Sequence, residues 1–435
     1  MGRAVLDELR RRLGHGRREP SRGGLPPAVL GDQRGLRRPD QRERVPRDGQ
    51  PAGTRPVRLR PAVLGAVTIP QFDLTRQYAR IEPEIEAALR RVLRSGRFIL
   101  GPEGDALEAE CAAALGVEHA VAVGSGSDAL KLILSVLGIG PDDEVVTPAF
   151  SFVASATAVL QVGARPVFAD VDPVSLTLAP DRAAAAITPR TRAILAVHLY
   201  GLPAPMQPLR ALADGRGVPL IEDAAQAFGA TLEGQAVGGL GTAGAFSFYP
   251  TKPLGAYGDA GLVATRDGEL AARARRQRNH GQTQKYDHVE LGWNSRLDEL
   301  QAAILRVKLR HAAAWTEARR RLAMRYAAGL AGYPVTLPEE PPGARHAFHQ
   351  YTIRTPRRDA LAKHLAAARI GTACHYPQPI PGQPIFRGLG WDPTAFPVAW
   401  KASQEVLSLP CFPELTEDEV DAVTRAILAF FQGEC

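Results

Sequence analysis

Short apolar runs alternate along the chain with Ala- and Leu-rich stretches of helical spacing. In residues 81–94, for example, apolar side chains recur every three or four positions, which predicts a helix. Seven runs are strand-like: Ala120–Val123, Glu144–Pro148, Pro166–Val171, Ala193–Leu199, Pro219–Ile221, Ala245–Tyr249 and Gly261–Thr265. Several of these are apolar at nearly every position, which is typical of strands covered on both faces. The alternation predicts an α/β domain built on a mostly parallel sheet.

The same pattern divides the chain into three parts. Residues 1–66 form an Arg-, Gly- and Pro-rich extension, and residues 67–310 form the large α/β domain. Residues 311–435 begin with a long Ala- and Arg-rich helix, continue through a proline-rich region and end in a helix over residues 417–431. We interpret this last part as a smaller α+β domain.

The positive charge of the 435-residue chain is concentrated at its N-terminus. The net charge is +7, but residues 1–66 alone carry +9 and the remainder carries −2. The extension lacks Phe, Trp and Tyr, so it cannot bury enough apolar surface to offset its ordering entropy. We predict that it is disordered or lies upstream of the natural start. An Arg-rich nucleic-acid tail is the alternative, although the aromatic side chains that stack on single strands are missing.

Cysteine content and hydropathy indicate a protein of the reducing cytoplasm. The four cysteines have neither metal-ligand spacing nor the density of a disulfide framework. No apolar run reaches about 18 residues, and the N-terminus lacks the apolar core of a secretory signal. We therefore expect neither a bound metal nor a membrane partner.

A candidate phosphate site occurs in GSGSDALKL, residues 124–132, where a predicted strand ends and a helix begins. The first N–H groups of a helix and its positive end attract anions, and Ser127 can add a hydroxyl donor. The alternative is an ordinary Gly-Ser turn before a helix.

Two further motifs carry ionisable side chains at strand ends. LIEDAAQAFGA, residues 220–230, places Asp223 where open α/β sheets bind ligands, and Gln226 follows it. A pyridine cofactor needs a buried carboxylate to keep its ring nitrogen protonated, although Asp223 could instead cap a following helix. FSFYPTK, residues 246–252, adds Ser247 and ends in Lys252. Burial would make this amine nucleophilic, whereas a solvated surface lysine is the alternative.

These motifs occur in order with GWNSRLDELQAAI and CHYPQPIP, and together they resemble the DegT/DnrJ/EryC1/StrS family of sugar aminotransferases. The resemblance runs from about Ile69 to the C-terminus. It implies a fold-type I transferase that depends on pyridoxal 5′-phosphate, with a mostly parallel seven-stranded sheet in its large domain. It also implies that Lys252 forms the Schiff base and shuttles the proton, that Asp223 pairs with the pyridinium nitrogen, and that Gln226 contacts the ring hydroxyl.

The resemblance assigns other residues to the cofactor. The phosphate-binding positions are matched by the hydroxyl groups of Ser127 and Ser247 and by the backbone N–H groups of Asp128 and Ala129. Phe152 matches an aromatic residue that stacks on the pyridine ring, although an aromatic among apolar neighbours is usually part of a core. His198 matches a residue near the ring, and a structural histidine at a strand end is the alternative.

A second subunit and a sugar also enter through the resemblance. Asn294 matches a residue that reaches the phosphate of the neighbouring subunit, which implies a homodimer with composite sites. Alternatively, Asn294 or Ser295 caps a helix over residues 297–307. His375 and Tyr376 match a pair close to the sugar. The family commonly has a second His in this motif where this chain has Pro381, so the identity of the sugar stays open.

The implied reaction is ping-pong transfer of an amino group from glutamate or glutamine to a keto-sugar nucleotide. The phrase IPQFDLTRQYARIEPEI, residues 69–85, is closer to relatives acting on 3-keto sugars, which favours a 3-keto-6-deoxyhexose linked to dTDP or UDP. A 4-keto sugar and a keto-cyclitol are the alternatives. A dehydratase of the same fold has His in place of the lysine, and Lys252 disfavours it. A non-catalytic cofactor-binding regulator is disfavoured because every catalytic position is filled.

Overall fold

The computed structural model describes residues 68–433. The predicted extension over residues 1–66 therefore lies outside the described residues. Between residues 68 and 433 the chain forms fourteen strands: β1 (His119–Val123), β2 (Glu144–Pro148), β3 (Arg165–Ala169), β4 (Thr191–Val197), β5 (Leu220–Asp223), β6 (Thr231–Leu232), β7 (Gln235–Ala236), β8 (Ala243–Ser247), β9 (Gly261–Thr265), β10 (Gln282–Gln284), β11 (Asp287–His288), β12 (Ala344–Arg345), β13 (Tyr351–Arg354) and β14 (Val406–Leu409).

Helices lie between most of these strands and after them. The same range contains twelve α-helices: α1 (Leu74–Ser95), α2 (Pro102–Leu115), α3 (Gly126–Val136), α4 (Ala154–Gln161), α5 (Pro180–Ala186), α6 (Met206–Arg216), α7 (Gly268–Gln277), α8 (Glu299–Leu309), α9 (Ala312–Leu330), α10 (Arg358–Ala367), α11 (Pro397–Glu405) and α12 (Glu417–Gln432). None of the helices described is long and apolar enough to cross a membrane.

All seven strand-like runs contribute to one seven-stranded sheet with the order β1-β9-β8-β5-β4-β2-β3. Strand β9 is antiparallel to both of its neighbours, and the remaining pairs are parallel. The prediction of a mostly parallel α/β sheet is therefore confirmed. The carboxyl ends of the parallel strands meet at one edge, which is where open α/β sheets bind ligands.

Local capping signals explain where several helices begin. Asp73 accepts hydrogen bonds from the N–H groups at the start of α1, and Thr416 forms a reciprocal capping box with Glu419 at the start of α12. Asp298 caps helix α8, and its carboxylate accepts from Gln301 N at 2.8 Å. The expectation that Asn294 or Ser295 caps this helix is therefore wrong.

A separate core joins the C-terminal elements. The antiparallel pair β13–β14 packs with α9, α10 and α12 around buried apolar side chains, among them Tyr326, Tyr351 and Val423. Ile69 belongs to the same core, because its backbone bonds to Arg369 and Gly371. The residues just before α1 are thus tied to the C-terminal elements. The division into domains at residue 310 stays a prediction.

Candidate active site

A cavity of about 650 Å³ lies where β1, β2, β5 and β8 end. Residues that follow or end these strands line it, including Ser127, Phe152, Asp223 and Ser247, together with Lys252. Segments near residues 71, 349 and 375 complete the wall. Residues from three separate motifs of the sequence thus meet in one space, of a size typical for small-molecule sites.

At one end of the cavity lies the N-terminus of α3. Ser125 caps this helix, and its hydroxyl accepts from Asp128 N at 3.1 Å while its carbonyl accepts from Ala129 N at 3.0 Å. The expected phosphate donors Asp128 N and Ala129 N therefore both have an acceptor within the chain, and their part in phosphate binding stays a prediction. The first two helical residues, Gly126 and Ser127, keep N–H groups without an acceptor inside the helix.

Close packing explains the glycine in this turn. A Cβ atom on Gly126 would lie 2.6 Å from the Cβ atom of Ser247, so no larger residue fits between α3 and the end of β8. The absent side chain brings the helix N-terminus directly beside the Ser247 hydroxyl. Ser127 and Ser247 both line the cavity there, as the sequence predicted.

Asp223 ends β5 with its side chain almost fully buried. Its Oδ2 accepts from the Ser155 hydroxyl at 2.7 Å, and its Oδ1 accepts from Ala225 N at 3.1 Å. Burial raises the pKa of the Asp223 carboxyl, whereas these two donors and the Lys252 charge lower it. The helix-cap alternative is wrong, because turns and short strands follow Asp223 and the next helix along the chain is α7.

Lys252 lies in the turn after β8 and lines the same cavity. Its backbone N–H donates to the carbonyl of Tyr249 at 2.8 Å, which closes the turn. Burial lowers the pKa of the Lys252 amine to about 8, against the opposing effect of Asp223. The alternative of a fully solvated surface lysine is therefore wrong.

Gln226 and Tyr376 are joined across the cavity. Gln226 Nε2 donates to the Tyr376 hydroxyl at 3.0 Å, and Gln226 Oε1 accepts from Tyr200 N at 2.8 Å. Phe152 lies beside Tyr376 with ring centroids 5.9 Å apart and keeps 51% of its surface exposed. The core interpretation of Phe152 is therefore wrong, and its ring is available to a ligand.

Four predicted residues do not line this cavity: Asp128, Ala129, His198 and Asn294. His198 is fully buried, with Nε2 2.9 Å from Glu222 Oε2 and Nδ1 accepting from Ala204 N at 2.9 Å. Both ring nitrogens are engaged as the structural alternative expects, and a place near the ring stays a prediction. Asn294 is exposed and forms a backbone bridge with Asn279.

Two residues of the site, Ser155 and His349, were not singled out from the sequence. Ser155 reaches Asp223 from α4, and its position four residues after Ser151 in TPAFSFVASATA was a usable signal. His349 is buried in the cavity wall, and burial lowers its pKa well below the ordinary value. The predicted residue His375 lines the same wall with a pKa lowered by burial to about 4, and its Nδ1 lies 2.9 Å from Ser408 Oγ.

The residues fit pyridoxal phosphate. A close-packed helix N-terminus with two serines suits a phosphate, a buried carboxylate suits a ring N–H, and a buried amine of lowered pKa suits an aldehyde. The fold and this set of residues define the class, fold-type I transferases dependent on pyridoxal phosphate. The family model for DegT/DnrJ/EryC1/StrS aminotransferases matches residues 79–428. The chain belongs to this family.

Relatives agree with this assignment across nearly their whole length. The chain is 48% identical to the pleiotropic regulatory protein of Geobacillus stearothermophilus, over 84% of this chain and 99% of that protein. It is 48% identical to UDP-N-acetyl-3-dehydro-alpha-D-glucosamine 3-aminotransferase of Acidithiobacillus ferrooxidans, over 84% of this chain and 98% of that protein. It is 47% identical to dTDP-3-amino-3,4,6-trideoxy-alpha-D-glucose transaminase of Streptomyces venezuelae, over 82% of this chain and 95% of that protein.

Solved structures share the fold. DesV of S. venezuelae, in complex with a ketimine intermediate, has a TM-score of 0.82 at 47% identity, covering 83% of this chain and 97% of that one. NtdA of Bacillus subtilis, with bound cofactor PMP, has a TM-score of 0.78 at 31% identity, covering 86% and 87%. The chain is an aminotransferase, and its family together with the PMP-bound neighbour implies a pyridoxal-phosphate cofactor.

Proposed function

We propose that this protein transfers an amino group from glutamate or glutamine to a keto-sugar nucleotide, a 3-keto-6-deoxyhexose linked to dTDP or UDP. The observation that carries the proposal is the meeting of Lys252 and Asp223 in one cavity that His375 and Tyr376 also line. Relatives named for 3-amino sugars on UDP and on dTDP support the choice of acceptor.

Pyridoxal phosphate, held covalently by Lys252, supplies an electron sink for the carbon that carries the nitrogen. Asp223 would hold the proton on the ring nitrogen, and the Ser155 hydroxyl keeps the carboxylate oriented. Ser127 and Ser247, with the N–H groups at the start of α3, would bind the phosphate. Phe152 would stack on the ring, and Gln226 would donate to the ring hydroxyl.

Lys252 Nζ has the second task of moving a proton. With a pKa of about 8, roughly a tenth of the amine is neutral at about pH 7 and about half at about pH 8, so it can accept a proton from the amino-bearing carbon of the donor. It then returns the proton during transfer to the acceptor. A fully solvated lysine would be almost entirely protonated at this pH and would be a poor base.

The second subunit supplies Asn294 to the phosphate, so the active form is a homodimer with composite sites. Asn294 is exposed on its own chain, as a residue that serves another chain must be. Exposed apolar residues on the preceding segment, Tyr286, Val289 and Leu291, favour burial of this region in an interface. A cytoplasmic location and the absence of a nucleic-acid partner remain predictions from the sequence.

The acceptor binds against the wall formed by Gln71, Phe72, His349 and His375. All four residues line the cavity, and the Phe72 and His349 rings lie 6.2 Å apart. The segment of residues 69–85, which favours a 3-keto sugar, thus contributes directly to the cavity wall. Pro381, which replaces the second histidine of the motif, is buried in a 3₁₀ turn at Ile380–Gly382, so it offers no polar group to the sugar.

The two alternative functions are amino transfer to a different acceptor and a regulatory role. A 4-keto sugar nucleotide or a keto-cyclitol would need the same cofactor residues and differs only at the acceptor end. A regulatory role is raised by the name of the Geobacillus relative. The joint presence of Lys252, Asp223 and Gln226 in the cavity favours catalysis, because a protein that only binds the cofactor has no need of a proton carrier.

A half-reaction screen tests the proposal. The enzyme is loaded with pyridoxal phosphate, converted to the amino form with glutamate or glutamine, and mixed separately with 3-keto and 4-keto sugar nucleotides while the cofactor absorbance is followed. We expect the 3-keto compound to restore the original spectrum fastest. Faster recovery with the 4-keto sugar or cyclitol would reassign the acceptor, and failure of every amino donor would refute the proposal.

Lys252→Arg is the matched variant, because it keeps a positive charge but cannot form the covalent link. Borohydride reduction should fix the cofactor to the peptide carrying residue 252 in the wild type and leave the variant unlabelled. Turnover of the variant at the wild-type rate would exclude Lys252 as the catalytic amine. Lys401→Ala, at a mostly exposed side chain remote from the cavity wall, controls for general loss of lysine charge.

A further inference from the structure

Tyr200 has an unfavourable backbone conformation at the end of β4. It lies in the 3₁₀ turn Leu199–Gly201 with φ of 59°, in the left-handed region, and its side chain is buried. A bulky non-glycine residue in this region costs on the order of 1–3 kcal/mol and persists where its surroundings hold it in place. The contacts of Tyr200 identify what holds it.

Each polar group of Tyr200 bonds to a different segment of the cavity wall. Its N–H donates to Gln226 Oε1 at 2.8 Å, and its carbonyl accepts from Gln350 N at 3.3 Å. Its hydroxyl donates to the carbonyl of His375. These three partners are 26 to 175 positions away along the chain. Tyr200 thus joins the large sheet to both C-terminal segments of the cavity.

The N–H of Tyr200 decides which way the Gln226 amide faces. An N–H can only donate, so the group beside it must be the carbonyl oxygen of the amide, and the NH₂ group must face Tyr376. The Tyr376 oxygen then accepts from Gln226 Nε2 at 3.0 Å, which leaves its own hydrogen to be donated elsewhere. Burial raises the pKa of the Tyr376 hydroxyl, so that hydrogen is present at neutral pH.

We infer that Tyr200 is a positioning residue that holds Gln226 and the His375–Tyr376 segment so that the Tyr376 hydroxyl donates a hydrogen bond to an oxygen of the acceptor sugar. The inference rests on the proposed function. Tyr376 lines the cavity beside Phe152, and its hydroxyl hydrogen has no acceptor among residues 68–433, so it can be donated to an oxygen of a ligand in the cavity. The Tyr200 N–H donates to the Gln226 amide, which donates to the Tyr376 oxygen. Each of these bonds polarises the next group in the same direction, so the Tyr376 hydroxyl becomes a stronger donor.

Tyr200→Phe tests the inference, because it keeps the ring and the N–H and removes only the bond to His375. Tyr326→Phe is the matched control: Tyr326 is also buried and also donates to a backbone carbonyl, that of Pro410 at 3.0 Å, but it lies in the C-terminal core. Both variants lose the same kind of hydrogen bond. A purely structural role therefore predicts similar losses of thermal stability and unchanged kinetics in both.

The measurements separate the two half-reactions of the holoenzyme. We expect Tyr200→Phe to raise KM for the keto-sugar nucleotide about fivefold to tenfold, the effect of weakening one hydrogen bond. The amino-donor half-reaction and the dissociation constant of the cofactor should stay within about twofold of the wild type. Tyr326→Phe should change neither half-reaction, and the melting temperatures of both variants show that each is folded.

A double-mutant cycle shows whether Tyr200 acts through Tyr376. In the Tyr376→Phe background, adding Tyr200→Phe should not raise the acceptor KM further, since the hydroxyl it positions is gone. Independent, additive effects would overturn the inference, and so would a Tyr200→Phe variant whose acceptor KM equals that of Tyr326→Phe. A wild-type enzyme that reacts with no keto-sugar nucleotide would instead refute the proposed function, and the inference with it.

Discussion

Removal of the Ser155 hydroxyl isolates one interaction that supports the cofactor residue Asp223. Ser155 Oγ donates to Asp223 Oδ2 at 2.7 Å, and both residues are buried. This bond lowers the pKa of the Asp223 carboxyl, whereas burial raises it. Ser155→Ala should therefore raise that pKa further and reduce the share of Asp223 that is ionised to face a protonated ring nitrogen.

The size of the effect follows from the type of bond. A hydrogen bond to a charged group contributes about 1.5–3 kcal/mol, and each 1.4 kcal/mol corresponds to about a tenfold change in an equilibrium constant. Serine and alanine differ by one oxygen atom, so packing changes little. We expect the dissociation constant of pyridoxal phosphate to rise by about 10- to 100-fold, with the larger loss at lower pH.

The assay is titration of the cofactor-free protein with pyridoxal phosphate, followed by absorbance between pH 6 and 8.5. Ser403→Ala is the matched control, because Ser403 is also fully buried and its hydroxyl also donates, to Trp400 O at 2.7 Å. Cofactor affinity within twofold of the wild type in Ser155→Ala, or an equal loss in Ser403→Ala, would refute the role assigned to this bond.

Three other residues test how burial and charge act in the molecule. Because the pKa of Lys252 is about 8, capture of pyridoxal phosphate by the cofactor-free protein should accelerate with pH and level off above about pH 8; a flat rate from pH 6 to 9 would contradict this. Burial lowers the pKa of Lys308 to about 7, whereas an unfolded lysine titrates near 10.4. Between these two pKa values the unfolded state binds more protons than the folded state, so the free energy of unfolding should increase with pH over this range. In urea unfolding, Lys308→Met should show a smaller increase with pH than the wild type. An unchanged pH dependence in the variant would exclude Lys308 as its source. Glu299 accepts from Gly101 N, Gly104 N and Glu103 N at 2.9, 3.0 and 2.8 Å, so Glu299→Gln should lower the free energy of unfolding by about 2–4 kcal/mol, since its NH₂ group would face one of these donors. A loss below about 1 kcal/mol in urea unfolding would contradict this cap.

The pattern of apolar and polar residues along the chain was sufficient to predict the sheet and the residues that end its strands. Asp223, Ser247 and the residues of α3 each stand where a strand stops, and parallel strands stop at a common edge, so their meeting could be anticipated. Lys252 follows β8 by a short turn, but pattern alone left a solvated surface lysine open, and the resemblance was needed to assign its role. The strand ends could be anticipated because they required only the period of the apolar residues and the direction of the strands.

Hydrogen bonds within the chain compete with the ligand contacts that the motifs imply. Asp128 N and Ala129 N, the implied phosphate donors, donate to Ser125. His198, matched to a residue near the ring, has its Nε2 beside Glu222 on the adjacent strand β5. A motif shows which groups could bind a ligand, whereas only the folded chain shows which of them are already satisfied.

Contacts distant in sequence account for the residues and the pairings that were missed. Ser155, which was not singled out, lies 68 positions from Asp223. Gln226 and Tyr376 were both singled out, but their contact joins positions 150 residues apart. His349 stands beside neither a strand of the large sheet nor a recognisable motif, and its place in the wall depends on how the C-terminal elements pack onto that sheet. No local periodicity encodes such pairings.

The coupling between Asp223 and Lys252 gives a reason for the cofactor that is independent of the family. Burial raises the pKa of the Asp223 carboxyl and lowers that of the Lys252 amine, so it drives both toward their neutral forms, while their mutual attraction opposes this. A neutral, nucleophilic Lys252 therefore withdraws the positive charge that helps to keep Asp223 ionised. The Ser155 and Ala225 donors help to keep Asp223 ionised, and a further cation beside the carboxylate would replace the lost attraction of Lys252. A protonated pyridine nitrogen is such a cation, so the residues that make the lysine reactive also favour the ring that it binds.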